Sequence, residues 1–177
     1  MKTINFCGAN AASRYIPRSP TAVIRIFGSP LSKYGADKYP ALKGDYAHKL
    51  ECIFDDLEPE YSAYLEKLEK ECMQKGYTLF NEAHAQEIFL FVDRVYNDVD
   101  SFLVHCYGGV SRSPAVATGL AEVLPGSFIL EKGPELLRWM NRHVYQVMIS
   151  TGKKLKLEKL LKNCVKQTEY EKLLEKM

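Results

Sequence analysis

Four short segments of apolar and β-branched residues have the pattern of buried β-strands. Each is only a few residues long, and Gly, Pro and Ser bound the first two, as is typical of strands in a closed core. The segments are Ile4–Cys7, Ala22–Ile26, Leu50–Phe54 and Phe102–Val104. The last segment runs directly into His105 and Cys106. The sequence therefore predicts at least four strands, the fourth of which ends at a cysteine.

Between the third and fourth predicted strands, apolar residues recur at the spacing of two helices. Over Pro59–Cys72, apolar residues recur at steps of three and four among charged ones, and Gly76 is placed to cap the end of this helix. Asn81 is suited to be the N-cap of a second helix, whose apolar face runs over Ala85–Tyr96. We interpret the segment 57–80 as an insertion that carries the first of these helices.

The region after the fourth strand is also predicted to be helical. Ser113 and Pro114 open a helix that ends at about Leu124, because proline loses no hydrogen bond in a first helical turn. Another helix is predicted over Pro134–Ser150. The lysine-rich tail from Lys153 continues with leucines at helical spacing, so we expect 153–177 to be a charged helical extension.

Strands that alternate with helices predict βαβ crossovers and a mainly parallel sheet. We therefore expect a three-layer α/β fold, with a central sheet flanked by helices, in a single domain over residues 1–177. Ligands of such sheets bind at the carboxyl ends of the strands, and Cys106 lies at one of these ends.

The segment Ser29–His48, between the second and third strands, is a long loop rich in proline and glycine. Loops of this length in a compact domain often carry function. Four of its side chains either line the entrance of a pocket or belong to the ordinary surface: Lys33, Tyr34, Lys38 and Tyr39.

The composition is that of an ordinary globular protein. Of the 177 residues, 46% are hydrophobic and 26% are charged, and the net charge is only +2. This charge gives no reason to expect nucleic acid or a membrane surface as a partner. Five scattered cysteines indicate a reducing compartment, and the amino-terminal segment lacks a secretory apolar core. We expect a monomeric protein of the cytoplasm.

The loop between the fourth strand and the following helix has the composition of an anion site. Its residues are Cys106, Tyr107, Gly108, Gly109, Val110, Ser111 and Arg112. A strand, a loop with two glycines and a helix can direct backbone N–H groups around an anion. These N–H groups and the positive end of the helix stabilise a thiolate on Cys106, and Arg112 offers a planar fork of donors for two phosphate oxygens. The loop therefore predicts a phosphate site with a nucleophilic cysteine.

The segment His105–Ser113 resembles the signature of the protein tyrosine phosphatase superfamily, in its compact dual-specificity-like branch. The resemblance implies hydrolysis of phosphomonoesters through a phosphocysteine on Cys106, without a metal or an organic cofactor. It implies that Arg112 binds the phosphate together with loop residues 107–111, that the Ser113 hydroxyl helps the thiolate to leave, and that His105 supports the thiolate. The implied substrate is a phosphorylated protein or a small phosphomonoester.

The same family uses an aspartic acid upstream of the cysteine to protonate the leaving oxygen. Asp55 and Asp56 follow the third strand, whose end converges on the same edge of the sheet as Cys106. We prefer Asp56, because it is one residue further into the loop. The separation of 50 positions from Cys106 is longer than the compact pattern, because of the inserted helix. Three later aspartates lie in a helix or at the wrong end of the sheet: Asp93, Asp98 and Asp100.

Other interpretations of these residues stay open. Cys106 is also compatible with a buried structural thiol, His105 with a hydrogen-bonded core residue, and Asp55-Asp56 with a simple turn. A non-catalytic phosphate-binding module, or a thiol redox or sulfur-transfer protein, would keep the same loop. The remaining histidines and cysteines have no metal-ligand spacing, so we expect no metal site.

Overall fold

The protein has an α/β fold with a five-stranded, all-parallel central sheet flanked by helices. The computed structural model describes residues 1–58, 70, 72, 74–130 and 137–156. The strands are β1 (Lys2–Gly8), β2 (Thr21–Phe27), β3 (His48–Ile53), β4 (Ser101–Cys106) and β5 (Phe128–Leu130). They lie side by side in the order β3-β2-β4-β1-β5, and all neighbours are parallel. The predicted fold class is confirmed.

Helices cover both faces of this sheet. Those with described positions are α1 (Ala9–Arg14), α2 (Glu82–Val95), α3 (Arg112–Val123) and α4 (142–156). The larger core contains side chains of α2, α3 and α4, and in it Val104 of β4 and Met148 of α4 are fully buried. The smaller core lies on the opposite face, where Ala12 of α1 packs with Leu103. No helix in the described part of the chain has the length and apolar character needed to cross a membrane.

The four predicted strands, and the helices predicted after Asn81 and at Ser113, are present with ends that differ by one or two residues. One further α-helix and one further strand, α1 and β5, were not predicted. They are only 6 and 3 residues long. Segments this short do not show a helical or an alternating period, so their place in the sheet and its cover comes from tertiary packing.

The helix predicted over Pro134–Ser150 is wrong at its start. The chain instead makes a tight turn in which Met140 N donates to Leu137 O (3.1 Å), and α4 begins after Asn141. Asn141 Oδ1 accepts a hydrogen bond from Val144 N (2.9 Å), which satisfies one of the free donors of the first turn. The helix therefore begins at an asparagine cap.

Parts of the predicted insertion and tail fall outside the described residues. These are most of the helix predicted over Pro59–Cys72, the segment 131–136, and the extension beyond Lys156. The predicted cap of the first helix is described. Gly76 has a φ of +72°, and Tyr77 N donates to Cys72 O (2.8 Å), which is the geometry of a glycine-capped helix end.

The carboxyl ends of four parallel strands meet at one edge of the sheet. Gly8 at the end of β1 lies opposite Cys106 at the end of β4, and Phe27 at the end of β2 lies opposite Ile53 at the end of β3. The segments that follow these strands therefore leave the sheet next to one another. Every candidate catalytic side chain lies at this edge.

Candidate active site

The loop after β4 curls back over the side chain of Cys106. The residue is 2% exposed. Gly109 N donates a hydrogen bond to Sγ (3.2 Å), and the hydroxyl of the buried Ser113 lies 3.3 Å from the same sulfur. The N–H of Gly109 donates to the sulfur, whereas the Ser113 hydroxyl also lies 3.4 Å from Cys7 O and can donate to either acceptor. Two polar hydrogens therefore lie within hydrogen-bonding reach of the Cys106 sulfur.

Two glycines allow the loop to pack this closely against β1. Gly109 has a φ of +77°, and a Cβ at this position would collide with the backbone of Cys7 and Gly8. A Cβ on Gly8 would lie 2.9 Å from Gly108 O, which is closer than real side chains come. The curvature of the loop therefore depends on residues without a side chain.

The guanidinium of Arg112 is buried beneath the loop, with 1% of the residue exposed. Its Nη1 donates to two backbone carbonyls, Phe27 O at 3.1 Å and Phe54 O at 2.8 Å. Arg112 thereby ties the ends of β2 and β3 to the loop. Its Nε is also buried but has no hydrogen-bond partner among the described residues. An unpaired buried donor on a charged group is costly, and an anion in the loop would satisfy it.

His105 is buried on the face of β4 that lies opposite Cys106, and is 1% exposed. Its Nε2 accepts a hydrogen bond from Arg25 Nε (3.3 Å), and Arg25 also pairs with Glu51 (2.9 Å). Burial, reinforced by the charge of Arg25, lowers the pKa of His105 to about 4. The imidazole is therefore neutral at neutral pH, and any support for the thiolate comes through position rather than through charge. No sequence signal marks Arg25, because an arginine in a strand belongs to no motif.

The two adjacent aspartates after β3 have different surroundings. Asp55 is 4% exposed and uses both carboxylate oxygens within the protein. Its Oδ1 accepts from Ser29 N (3.2 Å) and its Oδ2 accepts from Thr78 N (2.8 Å). Asp55 therefore joins the loop after β2 to the segment before α2, and has no free oxygen with which to serve a substrate.

Asp56 is exposed and lies against the loop that follows Cys106. Its Oδ1 accepts hydrogen bonds from Ser111 Oγ (2.6 Å) and from Asn141 Nδ2 (3.0 Å). The structure thus brings the preferred acid, rather than Asp55, to the candidate phosphate site. Sequence reasoning missed Asn141, although an asparagine ahead of a helical repeat was a signal for an N-cap at this position.

Two tyrosine rings of the long loop pack against Tyr107 in the loop after β4. Tyr107 is 45% exposed, and its ring lies 4.9 Å from that of Tyr34 and 5.7 Å from that of Tyr39. The Arg112 guanidinium lies 5.8 Å from the Tyr34 ring. Burial raises the pKa of Tyr39 to about 12, so its hydroxyl, which donates to Ile26 O (2.7 Å), remains protonated. Tyr34 and Tyr39 of the long loop therefore pack against the loop after β4, and their place at a pocket entrance stays a prediction.

The two lysines of the long loop, Lys33 and Lys38, have different neighbours. Lys33 Nζ lies 4.9 Å from the centre of the Tyr34 ring, whereas the exposed Lys38 pairs with Asp37. Both lysines therefore lie at the surface, and Lys33 also covers the Tyr34 ring.

Two other described cysteines are too far from Cys106, or face the wrong way, to form a disulfide with it. Cys52 is on β3, and β2 lies between β3 and β4, so its backbone is about 10 Å from that of Cys106. A disulfide requires Cα atoms within about 7 Å. Cys7 is on the neighbouring strand, but its side chain packs in the smaller core on the other face. Neither Cys52 nor Cys7 can therefore form a disulfide with Cys106 if Cys106 is oxidised.

No group of three or more His, Cys, Asp or Glu side chains within the described ranges is arranged to hold a metal ion.

Comparisons of the chain with models of protein families, with curated proteins and with solved structures found no significant match. The chemistry of this site therefore has to be inferred from its own geometry.

We predict that His105→Gln makes the folded protein less sensitive to acid. Folding lowers the pKa of His105 from 6.5 to about 4, so between these values the unfolded chain binds a proton that the folded chain does not. The contribution of His105 to the free energy of unfolding is fully present above this window and is lost as the pH falls through it. At about 1.4 kcal/mol for each pKa unit, the loss is about 3 kcal/mol.

Urea unfolding from neutral pH down to about pH 4 measures this effect. The free energy of unfolding should fall more steeply in the wild type than in His105→Gln, and the difference isolates this histidine from the other titrating groups. Parallel curves for the two proteins would contradict a neutral, buried His105.

Proposed function

We propose that this chain hydrolyses phosphomonoesters through a phosphocysteine intermediate, as a protein tyrosine or dual-specificity phosphatase. The observation that supports this best is the pairing of Cys106 and Arg112 across one loop. The sulfur receives an N–H and faces a hydroxyl, while the buried guanidinium keeps an unpaired Nε. A nucleophile beside an unfilled anion-binding edge suits phosphoryl transfer, because the reaction needs little from the protein beyond position and charge.

In the first step, the Cys106 thiolate attacks phosphorus in line with the leaving oxygen. The S–P bond forms as the O–P bond breaks. Arg112 and the N–H groups of the loop stabilise the negative charge on the equatorial oxygens. Asp56 gives its proton to the departing alkoxide or phenoxide, which leaves as the neutral alcohol or phenol.

In the second step, water breaks the phosphocysteine. Asp56, now ionised, accepts a proton from the attacking water, and the O–P bond forms as the S–P bond breaks. The Ser113 hydroxyl, 3.3 Å from Sγ, donates a hydrogen bond to the released thiolate. One water is consumed, inorganic phosphate is released, and both Cys106 and Asp56 return to their starting protonation states.

The tyrosine rings around the loop support an aryl phosphate as a substrate. Tyr34 and Tyr107 already pack on each other (4.9 Å), so the phenyl ring of a substrate would pack on the exposed side of Tyr107, and such a contact is worth about 0.5–1.5 kcal/mol. An alkyl phosphate of serine or threonine gains less from these rings. The loop interior contains no lysine, which counts against highly charged inositol phosphates.

Two rival functions predict different behaviour of the pure protein. A non-catalytic module would bind phosphate or vanadate but would not hydrolyse an aryl phosphate. A thiol redox or sulfur-transfer protein would need a thiol donor and would ignore phosphate esters. The position of Asp56 beside the loop favours the catalytic alternative, because a binding module has no use for a proton donor there.

We predict that Cys106→Ser abolishes hydrolysis of para-nitrophenyl phosphate while phosphate or vanadate binding is kept. Serine preserves the shape of the side chain, but its hydroxyl is not ionised at neutral pH. Hydrolysis is measured by absorbance, and anion binding by calorimetry. The matched control is Cys52→Ser, a cysteine that is equally buried (1% exposed) but lies two strands away, and which should retain turnover. Substantial hydrolysis by Cys106→Ser would exclude the covalent mechanism.

We predict that Asp56→Asn mainly lowers the rate of hydrolysis, whereas Asp55→Asn mainly lowers the free energy of unfolding. Asp56→Asn should lower the rate by about 10²–10⁴-fold for phenyl phosphate, which has a poor leaving group, and much less for an activated aryl phosphate.

Asp55→Asn serves as the control for this prediction. It replaces one of two oxygens that accept from backbone N–H groups, so its main effect should be a lower free energy of unfolding, without dependence on the leaving group. If the rate loss depended on the leaving group in Asp55→Asn but not in Asp56→Asn, the proton donor would be Asp55, and the assignment to Asp56 would be wrong.

A further inference from the structure

Asn141 is a polar residue at the candidate site that no motif predicts. It is 2% exposed and lies at the start of α4, far in sequence from the other candidate residues. Burial of an amide is costly unless its donors and its acceptor are paired. Its side-chain hydrogen bonds go to the segment after β3 and to α4 itself.

The contacts of Asn141 join three segments. Nδ2 donates to Asp56 Oδ1 (3.0 Å) and to Leu57 O (3.1 Å), which fixes the segment after β3. The backbone N donates to Ser111 O (3.1 Å), which fixes the loop after Cys106. Oδ1 accepts from Val144 N (2.9 Å), which anchors the residue to α4. Both side-chain donors and the acceptor are used.

These contacts also distinguish the two oxygens of Asp56. Oδ1 accepts from Asn141 and from Ser111, and both donors hold it toward the protein. Oδ2 has no hydrogen-bond partner in the described part of the chain and belongs to an exposed side chain. A proton on Asp56 therefore sits on Oδ2, because Oδ1 already faces two donors.

We propose that Asn141 is a positioning residue that holds Asp56 against the phosphate loop, so that Oδ2 carries the proton and faces the leaving oxygen. The inference rests on the proposed function, because it assigns Asp56 the role of proton donor. Asn141 itself touches no substrate. It acts through Asp56. Proton transfer works only over a short distance, so the reaction can slow by about 10²-fold when the acid is misplaced by about 1 Å.

The test compares Asn141→Ser with the wild type and with Gln146→Ala. Serine is as good an N-cap as asparagine, so α4 keeps its first-turn hydrogen bond, but its side chain is too short to reach Asp56. Gln146 is an exposed amide on the same helix and controls for loss of an amide from α4. Vanadate binding to each variant checks that the phosphate loop is intact.

We expect Asn141→Ser to lower kcat for phenyl phosphate by about 10- to 100-fold, with KM little changed. The loss should shrink to a few-fold for an activated aryl phosphate, which scarcely needs a proton. In an Asp56→Asn background, Asn141→Ser should have no further effect on kcat, because the residue acts only through the Asp56 carboxyl. Gln146→Ala should behave as the wild type.

Three results would overturn the inference, and they differ from a failure of the proposed function. If the wild type hydrolyses aryl phosphates and Asn141→Ser equals it, Asn141 does not position the acid. If Asn141→Ser loses the same factor for every leaving group, or loses it again in the Asp56→Asn background, the residue supports the phosphate loop instead. Absence of hydrolysis by the wild type itself would instead remove the proposed function.

Discussion

A buried guanidinium with one unpaired donor is the feature on which the rest of the site depends. Arg112 is removed from water, and its two hydrogen bonds to the carbonyls of Phe27 and Phe54 offset only part of the cost. Those carbonyls lie at the ends of β2 and β3, so the all-parallel sheet fixes where the cation sits. The Nε edge of this buried cation has no partner among the described residues, and the proposed phosphate site rests on it.

The adjacent aspartates Asp55 and Asp56 divide two tasks between them: one holds the backbone, and the other lies against the loop after β4. Asp55 fills its oxygens with backbone N–H groups and secures the segment, which leaves Asp56 to project toward the loop. Asn141 and Ser111 then hold one oxygen of Asp56. Cys106, Arg112 and Asp56 thus come from three separate elements. Backbone groups orient Cys106 and Arg112, and neutral side chains orient Asp56.

Prediction from the sequence succeeded where a local pattern determines the structure. The strands up to Cys106 were predictable because short apolar runs suit a buried sheet, and the loop was predictable because paired glycines mark a backbone that must turn or pack closely. Arg25 and Asn141 were not, because their importance comes from contacts across 80 and 85 positions of sequence. The start of α4 was misplaced because apolar spacing continued upstream, whereas the asparagine cap determined where the helix begins.

The covalent intermediate is the central claim, and it can be trapped. In Asp56→Asn, an activated aryl phosphate should still transfer its phosphoryl group to sulfur, because the leaving group needs no proton, whereas hydrolysis of the product should be slow without a base. Acid quench within the first turnover, followed by mass spectrometry of the peptides, should find the phosphoryl group on the peptide that contains Cys106. A burst of phenol release without any phosphorylated cysteine, or with the label on another residue, would contradict the account.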